Sequence, residues 1–179
     1  MSVKTMRRLL LLRHAKADWP HDVVDHQRPL AAAGVAAASL MGAYLVQEKL
    51  VPELALVSTS TRTRETWALL KTALRQDIAV VFEPRIYEAH PADLLQAIRD
   101  TPDTVHTLLL VGHNPGIHSL ALQLIARGNP DARESLQYAY PPAGLAVVDF
   151  KVAAWSSLAI ETGFLERFVT PKTVALTAS

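Results

Sequence analysis

Four side chains suited to phosphoryl chemistry stand at three separate places in the sequence. Arg13 and His14 directly follow four consecutive leucines, Arg62 follows a run of serine and threonine, and His113 lies in a Gly-His-Asn-Pro-Gly segment. An arginine guanidinium presents a planar fork of donors that matches two phosphoryl oxygens. A neutral imidazole can attack phosphorus, and a second, protonated imidazole can stabilise the oxygens as negative charge develops. These residue types therefore permit covalent phosphoryl transfer without a metal ion.

Each of these pieces has a simpler explanation when it is taken alone. An Arg-His pair after a strand is more often a surface pair than a catalytic one. His113 could equally well cap a helix in a tight turn. Arg62 has Arg64 close by in the sequence, and either one could be a solvated helix residue. Only a fold that gathers the four side chains would favour catalysis.

The pattern of apolar residues predicts such a fold. Short apolar runs alternate with longer Ala- and Leu-rich segments of helical period, which is typical of an α/β domain with a mostly parallel sheet. We predict strands at 8–12, 54–58, 78–82, 105–111, 145–150 and 157–160, the last two as a hairpin. We predict helices at 30–49, 61–74, 91–99 and 115–126, with Asn114 as the cap of the last. Surface loops are expected at 17–29 and 127–143, and a loosely held tail from residue 170.

The candidate residues begin where the predicted strands end. Arg13 and His14 end the first strand, Arg62 lies in the first turn after the second, and His113 follows the fourth. In an open α/β sheet, ligands bind beyond the carboxyl ends of the strands, where the N-termini of helices also point. Three segments are therefore expected to deliver two arginines and two histidines to one edge of the sheet.

The composition limits the class of protein. The 179 residues fit a single domain over 1–179, with a core of about 7–170. Eighteen basic and seventeen acidic residues are scattered along the chain, which argues against a nucleic-acid partner. Two arginines before the leucines suggest a leader, but Arg13 and His14 interrupt the apolar run, and no segment reaches the roughly 20 apolar residues that span a bilayer. We therefore expect a cytoplasmic protein without a membrane partner.

Metal and cofactor chemistry is not expected. The chain has no cysteine, which excludes disulfides, thiolate ligands and a cysteine nucleophile. His113 and His118 are five residues apart, so they do not share one helical face as a zinc-peptidase pair would, and no glutamate joins them. The first strand leads into Arg-His-Ala-Lys, not into the glycine-rich turn of a dinucleotide-binding fold.

Five segments, taken together, resemble the histidine phosphatase superfamily, which includes phosphoglycerate mutases and acid phosphatases. They look closest to its SixA-type phosphohistidine phosphatases. The segments are LLLRHAK at 10–16, DHQRPL at 25–30 followed by Gly34, STSTRTRET at 58–66, YEA at 87–89 and VGHNPG at 111–116. The resemblance covers most of the chain and implies a three-layer α/β/α fold like that of phosphoglycerate mutase.

The resemblance also implies roles for single residues. His14 is similar to the phosphorylated nucleophile of the family, Arg13 and Arg62 to its phosphate clamps, and His113 to the second histidine of the pocket. Arg28 stands where it could either approach the pocket or brace the preceding loop. Glu88 stands where phosphatases and mutases of the superfamily carry the general acid that protonates a leaving oxygen.

Two positions depart from the broad pattern of the superfamily. Ala15 replaces a common glycine, which agrees with the SixA-like group. Glu65 replaces a common glutamine, and we expect it to be a solvated or helix-dipole residue.

The resulting expectation is a phosphatase that forms a phosphohistidine on His14 and acts on phosphohistidine in a phosphoprotein. One alternative is a small-molecule phosphomonoesterase, which would need Glu88 as an acid. Another is a phosphate-binding module without turnover, against which the intact pair of His14 and His113 argues. A phosphoprotein would be recognised by the loops at 17–29 and 127–143, where Tyr138 and Tyr140 could line the mouth. The oligomeric state is left open.

Overall fold

The computed structural model describes residues 6–178 and consists of one seven-stranded sheet with helices on both faces. The strands are β1 (Arg7–Arg13), β2 (Leu54–Val57), β3 (Ala79–Phe82), β4 (Thr107–Gly112), β5 (Ile125–Gly128), β6 (Leu145–Phe150) and β7 (Gly163–Val169). The α-helices are α1 (Ala32–Gln47), α2 (Thr61–Leu74), α3 (Pro91–Arg99), α4 (Gly116–Leu124), α5 (Pro130–Tyr138) and α6 (Pro171–Thr177). Short 3₁₀ turns lie at Asp25–Gln27, Pro84–Ile86 and Trp155–Ser157.

The sheet is mostly parallel, in the order β3-β2-β4-β1-β6-β7-β5. Strands β1 to β4 are mutually parallel, β6 runs antiparallel to β1 and β7, and β5 pairs parallel with β7. Arg13 is in register with Gly112, and Val57 with Val111, so β1, β2 and β4 end together. The predicted three-layer α/β/α architecture is confirmed.

The leucines of β1 divide between the two faces of the sheet. Leu9 and Leu11 pack in one core cluster, which also contains residues of α3 and α4, while Leu10 and Leu12 pack in a second, formed with α1 and α2. All four are at most 1% exposed. Burying a leucine contributes about 1.5–3 kcal/mol relative to leaving it exposed. The strand that delivers Arg13 and His14 is thus held from both sides.

Gly34 allows α1 to approach the chain that leaves this strand. A Cβ atom at Gly34 would lie 2.1 Å from the carbonyl oxygen of Lys16, which no side chain could tolerate. The same segment is joined to the end of the following loop, because the amide of Ala31 donates to the Lys16 carbonyl at 2.9 Å. The glycine therefore fixes the start of the loop at 17–29 against the helix.

The predicted loop at 127–143 is wrong. This stretch contains the end of β5 and the whole of α5. Asn129 caps the helix, since its side-chain oxygen accepts from the amide of Ala132 at 3.1 Å, and Pro130 occupies the first turn. Only Leu136 of the helix is buried, so the segment lacks the apolar repeat by which a helix is usually predicted.

The predicted final hairpin is also wrong. Residues 157–160 follow the turn at Trp155–Ser157 and place Leu158 in the core, and the sheet ends instead with β7. The expected loose tail is a helix, α6, which Thr170 caps and which buries Val174 in the cluster that contains α1. These elements are short, and their burial depends on long-range packing.

The remaining boundaries agree closely with the predictions. Helices α2 and α3 begin and end at the predicted residues, and β6 does so too. Helix α4 has no side-chain cap, so the prediction for Asn114 is wrong. The expected domain spans 1–179, but residues 1–5 and 179 lie outside the described residues. The segment considered as a leader begins within residues 1–5. Within 6–178, no helix is both long and apolar enough to cross a membrane.

Candidate active site

His14 is the first residue after β1, and the backbone around it is fixed on both sides. Its amide donates to the carbonyl of Gly112 at 3.0 Å, and its carbonyl accepts from the amide of Ala143 at 3.0 Å. The side chain is 8% exposed. The backbone of His14 is therefore held at the carboxyl edge of the sheet by the end of β4 on one side and by the segment just before β6 on the other.

The hydrogen bonds of His14 select one tautomer of its ring. Nδ1 lies 2.7 Å from the carbonyl oxygen of Ala15, and a carbonyl can only accept, so Nδ1 carries the proton. Nε2 then has a free lone pair, which faces the Arg62 Nε–H at 3.4 Å. Such a long contact is weak, so the lone pair is available to a substrate.

His113 has the opposite tautomer. It follows β4, and its Nδ1 accepts from Nη2 of Arg62 at 3.4 Å, so in the neutral ring Nε2 carries the proton and donates to Ser58 Oγ at 2.7 Å. Ser58 is fully buried at the end of β2. The ring centroids of His14 and His113 are 5.2 Å apart. Two unprotonated ring nitrogens are therefore directed toward the same guanidinium.

Arg62 lies in the first turn of α2. Ser60 caps this helix, and Thr63 donates its hydroxyl proton to the Ser58 carbonyl at 2.7 Å, which ties the helix start to the end of β2. Besides its contacts with the two histidines, the Arg62 guanidinium donates from Nη1 to the Asp25 carbonyl at 2.7 Å. Its Nη2 donates to Asp25 Oδ2 at 3.1 Å. Arg62 is only 7% exposed, so its side chain is held in place by the surrounding residues.

Arg13 completes the positively charged side of the pocket. Its Nη1 donates to the carbonyl of Tyr140 at 2.9 Å, while its buried Nε has no hydrogen-bond partner. Within residues 6–178, no carboxylate pairs with Arg13. The buried Nε–H of Arg13 is therefore available to an anion in the pocket.

Both histidines are neutral at neutral pH. Burial is the main cause that lowers the pKa of His14 to about 4; the Ala15 hydrogen bond opposes this shift, and the neighbouring Arg62 and Arg13 guanidinium groups add to it. Burial also lowers the pKa of His113 to about 3, with smaller contributions from His14 and Arg62 that exceed the opposing effect of Asp25. A neutral imidazole is the form that can attack phosphorus.

Arg28 braces the loop at 17–29 and also lies near the pocket. Its guanidinium stacks on Trp19, with the guanidinium carbon 3.3 Å from the ring centroid, and its Nε donates to the Asp18 carbonyl at 2.9 Å. Its charge is close enough to contribute to the lowered pKa of His14. Arg28 therefore braces the loop and also lies close to the pocket, so each of the two alternatives for this residue is partly correct.

Asp25 is a site residue that sequence reasoning did not single out. Its carboxylate contacts Arg62, accepts from Arg28 Nη1 at 3.2 Å and accepts from the Tyr87 hydroxyl at 2.6 Å. The Tyr87 hydrogen bond and then the two arginines lower the pKa of Asp25 to about 2. Asp25 is the only carboxylate of the DHQRPL segment, and this was the available signal.

Glu88 lies apart from this network. It is exposed and has a left-handed backbone with φ of 53°. It lines a cavity of about 230 Å³ together with His113 and Asn114. The wall of this cavity is fixed by Gly116, where a Cβ atom would lie 2.5 Å from the Ala89 carbonyl oxygen. Its proposed role as an acid therefore stays a prediction.

Other expectations have mixed outcomes. Tyr140 is buried with its hydroxyl donating to the Leu11 carbonyl, so its ring does not line a mouth, whereas Tyr138 is exposed. Glu65 is not simply solvated, because its carboxylate accepts from the amide of Leu30 at 2.7 Å. No cluster of three or more potential metal ligands occurs among residues 6–178.

Comparison with known proteins relates this site to a family. The model of the histidine phosphatase superfamily (branch 1) matches residues 9–96, a range that includes Arg13, His14, Arg28, Arg62 and Glu88. An uncharacterised protein of Mycobacterium tuberculosis is 36% identical over 139 residues, which are 76% of this chain and 85% of that protein.

Two solved structures are similar over nearly their full length. A candidate SixA phosphohistidine phosphatase from Agrobacterium tumefaciens is 30% identical with a TM-score of 0.78, over 92% of this chain and 98% of the other. A second candidate SixA phosphohistidine phosphatase, from Nakamurella multipartitia, is 29% identical with a TM-score of 0.81, over 93% of this chain and 96% of the other.

Proposed function

Since this chain belongs to the histidine phosphatase superfamily, in its SixA-type group, we propose that it hydrolyses phosphorylated substrates through a phosphohistidine on His14. The observation that carries this proposal is the tautomer and orientation of the His14 ring. Its Nδ1 proton is committed to the Ala15 carbonyl, and its Nε2 lone pair faces a pocket bounded by Arg62 and His113.

In the first step, His14 Nε2 attacks phosphorus in line with the leaving group. A bond forms between Nε2 and phosphorus as the bond from phosphorus to the leaving atom breaks, and the leaving atom keeps the electron pair of that bond. The Nδ1 proton stays on Nδ1, where it is hydrogen-bonded to the Ala15 carbonyl. Arg13 and Arg62 hold the phosphoryl oxygens. Because the phosphoryl dianion would favour a protonated imidazole, His113 takes a proton from solvent on Nδ1 when substrate binds and becomes a further donor.

In the second step, water attacks phosphorus on the side opposite Nε2. The bond between Nε2 and phosphorus breaks, inorganic phosphate leaves, and His14 returns to its neutral form. The charge of the pocket suits this cycle, since Asp25 pairs with Arg28 and Arg62, while Arg13 adds a third positive charge near His14. These groups supply the electrostatic stabilisation that other phosphatases obtain from metal ions.

We propose phosphohistidine in a phosphoprotein as the substrate. The second ring nitrogen of a phosphohistidine can take a proton from water, so the imidazole departs without an acid supplied by the enzyme. An exposed Glu88 without hydrogen bonds to the site is consistent with such a leaving group. The names of the two similar SixA structures support the same substrate class.

A second candidate, hydrolysis of small phosphate esters, has one observation in its favour. Glu88 and His113 line the same cavity of about 230 Å³, so a carboxylic acid there could reach a leaving oxygen beside the pocket.

The proposal is tested by phosphate release from p-nitrophenyl phosphate and from a protein phosphorylated on histidine, with a metal chelator present throughout. The parent is compared with His14→Ala, and His106→Ala is the matched control because His106 lies just before β4, at the opposite edge of the sheet. We expect His14→Ala to lower release at least about 10³-fold and His106→Ala to change it less than about twofold.

Rapid quenching with ³²P-labelled substrate identifies the covalent step. The parent should carry an acid-labile, alkali-stable label, and His14→Ala should carry none. Release that persists in His14→Ala, or a requirement for metal, would contradict the proposed mechanism. Phosphate binding without release from any substrate would identify a binding module instead.

A further inference from the structure

We propose that Asp25 is a positioning residue, which holds the Arg62 guanidinium so that one edge of its fork faces the two histidines. The proposal rests on the proposed function, because it assigns Asp25 a task in holding the phosphoryl group. Asp25 need not touch the substrate itself. It acts through Arg62.

The two sides of the Arg62 guanidinium have different partners. The outer side, Nη1 and one Nη2 hydrogen, donates to the Asp25 carbonyl at 2.7 Å and to its carboxylate at 3.1 Å. The inner edge, Nε and the other Nη2 hydrogen, faces His14 and His113 at 3.4 Å each. The outer bonds are shorter, and one of them joins the guanidinium to a negatively charged carboxylate. The outer side therefore anchors the group, while the inner edge is free to exchange two weak contacts for phosphoryl oxygens.

The inner edge of the Arg62 guanidinium also has the donor geometry that a phosphoryl group requires. Nε–H and one Nη2–H are parallel donors, and they can bind two oxygens of one phosphoryl group. An oxyanion between His14 and His113 would meet both donors at once. If the guanidinium turned about its long side chain, one donor would be lost.

Asp25 is itself held in place by more than Arg62. Its Oδ1 accepts from Arg28 Nη1 at 3.2 Å, and its Oδ2 accepts from the Tyr87 hydroxyl at 2.6 Å. Arg28 is buried and stacked on Trp19, so the carboxylate is fixed from the loop side as well. One carboxylate thus orients the clamp and offsets part of the charge of two arginines in an otherwise cationic pocket.

Asp25→Asn is the sharpest test, because it keeps the shape of the side chain and removes the charge. Asp22→Asn is the matched control. Asp22 lies in the same loop, is exposed and has φ of 62°, a conformation that asparagine adopts readily. Tyr87→Phe removes only the hydroxyl that donates to Asp25.

The measurements are kcat and KM for p-nitrophenyl phosphate, and the binding constants of orthovanadate and inorganic phosphate by calorimetry. Misplacing a substrate clamp by about 1 Å costs on the order of 10²-fold in rate. We expect Asp25→Asn to lower kcat/KM about 10²-fold and to weaken vanadate, which resembles the transition state, more than phosphate. Tyr87→Phe should have an effect of about 3–10-fold in the same direction, and Asp22→Asn less than about twofold.

A merely structural role predicts a different result. It would lower the amount of folded protein and the apparent kcat, while vanadate would bind the folded fraction as tightly as before. Unchanged vanadate affinity in Asp25→Asn would therefore overturn the proposal. Tighter vanadate binding would also overturn it, since the carboxylate would then be a competitor for Arg62.

The binding measurement separates this proposal from the proposed function. If the parent binds vanadate without hydrolysing any substrate, the proposed function fails, and weaker binding by Asp25→Asn still supports the positioning role. If the parent binds neither anion, both proposals fail.

Discussion

The pocket formed by Arg13, His14, Arg62 and His113 differs from the segment that carries Glu88 in how firmly each is held. His14, Arg62 and His113 are at most 8% exposed, and all four residues have named hydrogen-bond partners. Glu88 is exposed, and its carboxylate has no hydrogen-bond partner in the described chain. The groups that would hold a phosphoryl group are therefore arranged before substrate arrives.

This difference separates two tasks of a phosphatase. Stabilising a phosphoryl group needs donors at fixed positions, because reorientation during the reaction would cost free energy. Protonating the leaving group needs an acid only when the leaving atom is a poor one. A pocket with fixed donors beside an exposed Glu88 without hydrogen bonds is expected to suit substrates whose leaving group departs easily.

Arg62→Lys is expected to cause the largest loss of activity, and it tests whether the fixed arrangement of donors in the pocket matters. Lysine keeps the charge but loses the planar fork and the Nε–H that faces His14. We expect kcat for p-nitrophenyl phosphate to fall about 10²–10³-fold, the range measured when one donor to a developing oxyanion is removed.

Arg64→Lys is the control for this prediction. Arg64 lies in the same helix turn, but it is exposed and stacks on Phe82, 4.2 Å from the ring centroid. It should change kcat less than about threefold. If Arg62→Lys were equally mild, charge alone would hold the phosphoryl group, and the arrangement of the fork would not matter.

A smaller loss of activity is expected from Glu88→Gln, and it tests whether Glu88 acts as an acid. For an alkyl phosphate, loss of the acid should lower kcat/KM about 10–10²-fold if Glu88 protonates the leaving oxygen. For a phosphohistidine protein, the change should be less than about threefold, because the imidazole departs without an enzymatic acid. Equal losses on both substrates would show that Glu88 has a positioning or structural role and is not an acid.

The smallest effect concerns pH. The pKa of His14 lies near 4, so about 90% of the ring stays neutral at pH 5, whereas an imidazole with a pKa of about 6.5 would be only about 3% neutral. We expect the nucleophile to be lost only as pH falls through about 4.

Nitrogen-15 NMR of the histidine rings measures this directly. Between pH 7 and pH 5, the signals of His14 should show a protonated Nδ1, and those of His113 a protonated Nε2, both with little change. A midpoint near pH 6.5 for either ring would contradict the lowered pKa values. The opposite tautomers would contradict the hydrogen-bond assignment.

The sequence predicted the part of the fold that supports the pocket better than residues 125–143 and the residues from 157 onward. The leucines of β1 are consecutive and fully buried, and α2 begins with a recognisable cap, so local chemistry determines both. By contrast, β5 and α5 contain few buried residues, and α6 is seven residues long. Their positions depend on contacts with distant strands, which local patterns do not encode.

The candidate site shows the same division. Arg13, His14, Arg62 and His113 could be predicted because each directly follows a strand or begins a helix at one edge of the sheet. Asp25 could not be assigned a role in the same way. Its importance comes from a contact with Tyr87, 62 residues away in the chain, and with Arg62, 37 residues away.

The buried Nε–H of Arg13, which has no hydrogen-bond partner, has a consequence for turnover. A buried donor without a partner costs about 1–3 kcal/mol, and any oxyanion that reaches the guanidinium recovers part of that cost. In the proposed reaction, inorganic phosphate leaves in the second step and carries the same kind of oxygens as the substrate. We therefore expect product inhibition, so that the rate of dephosphorylation falls as the free phosphate concentration around the protein rises.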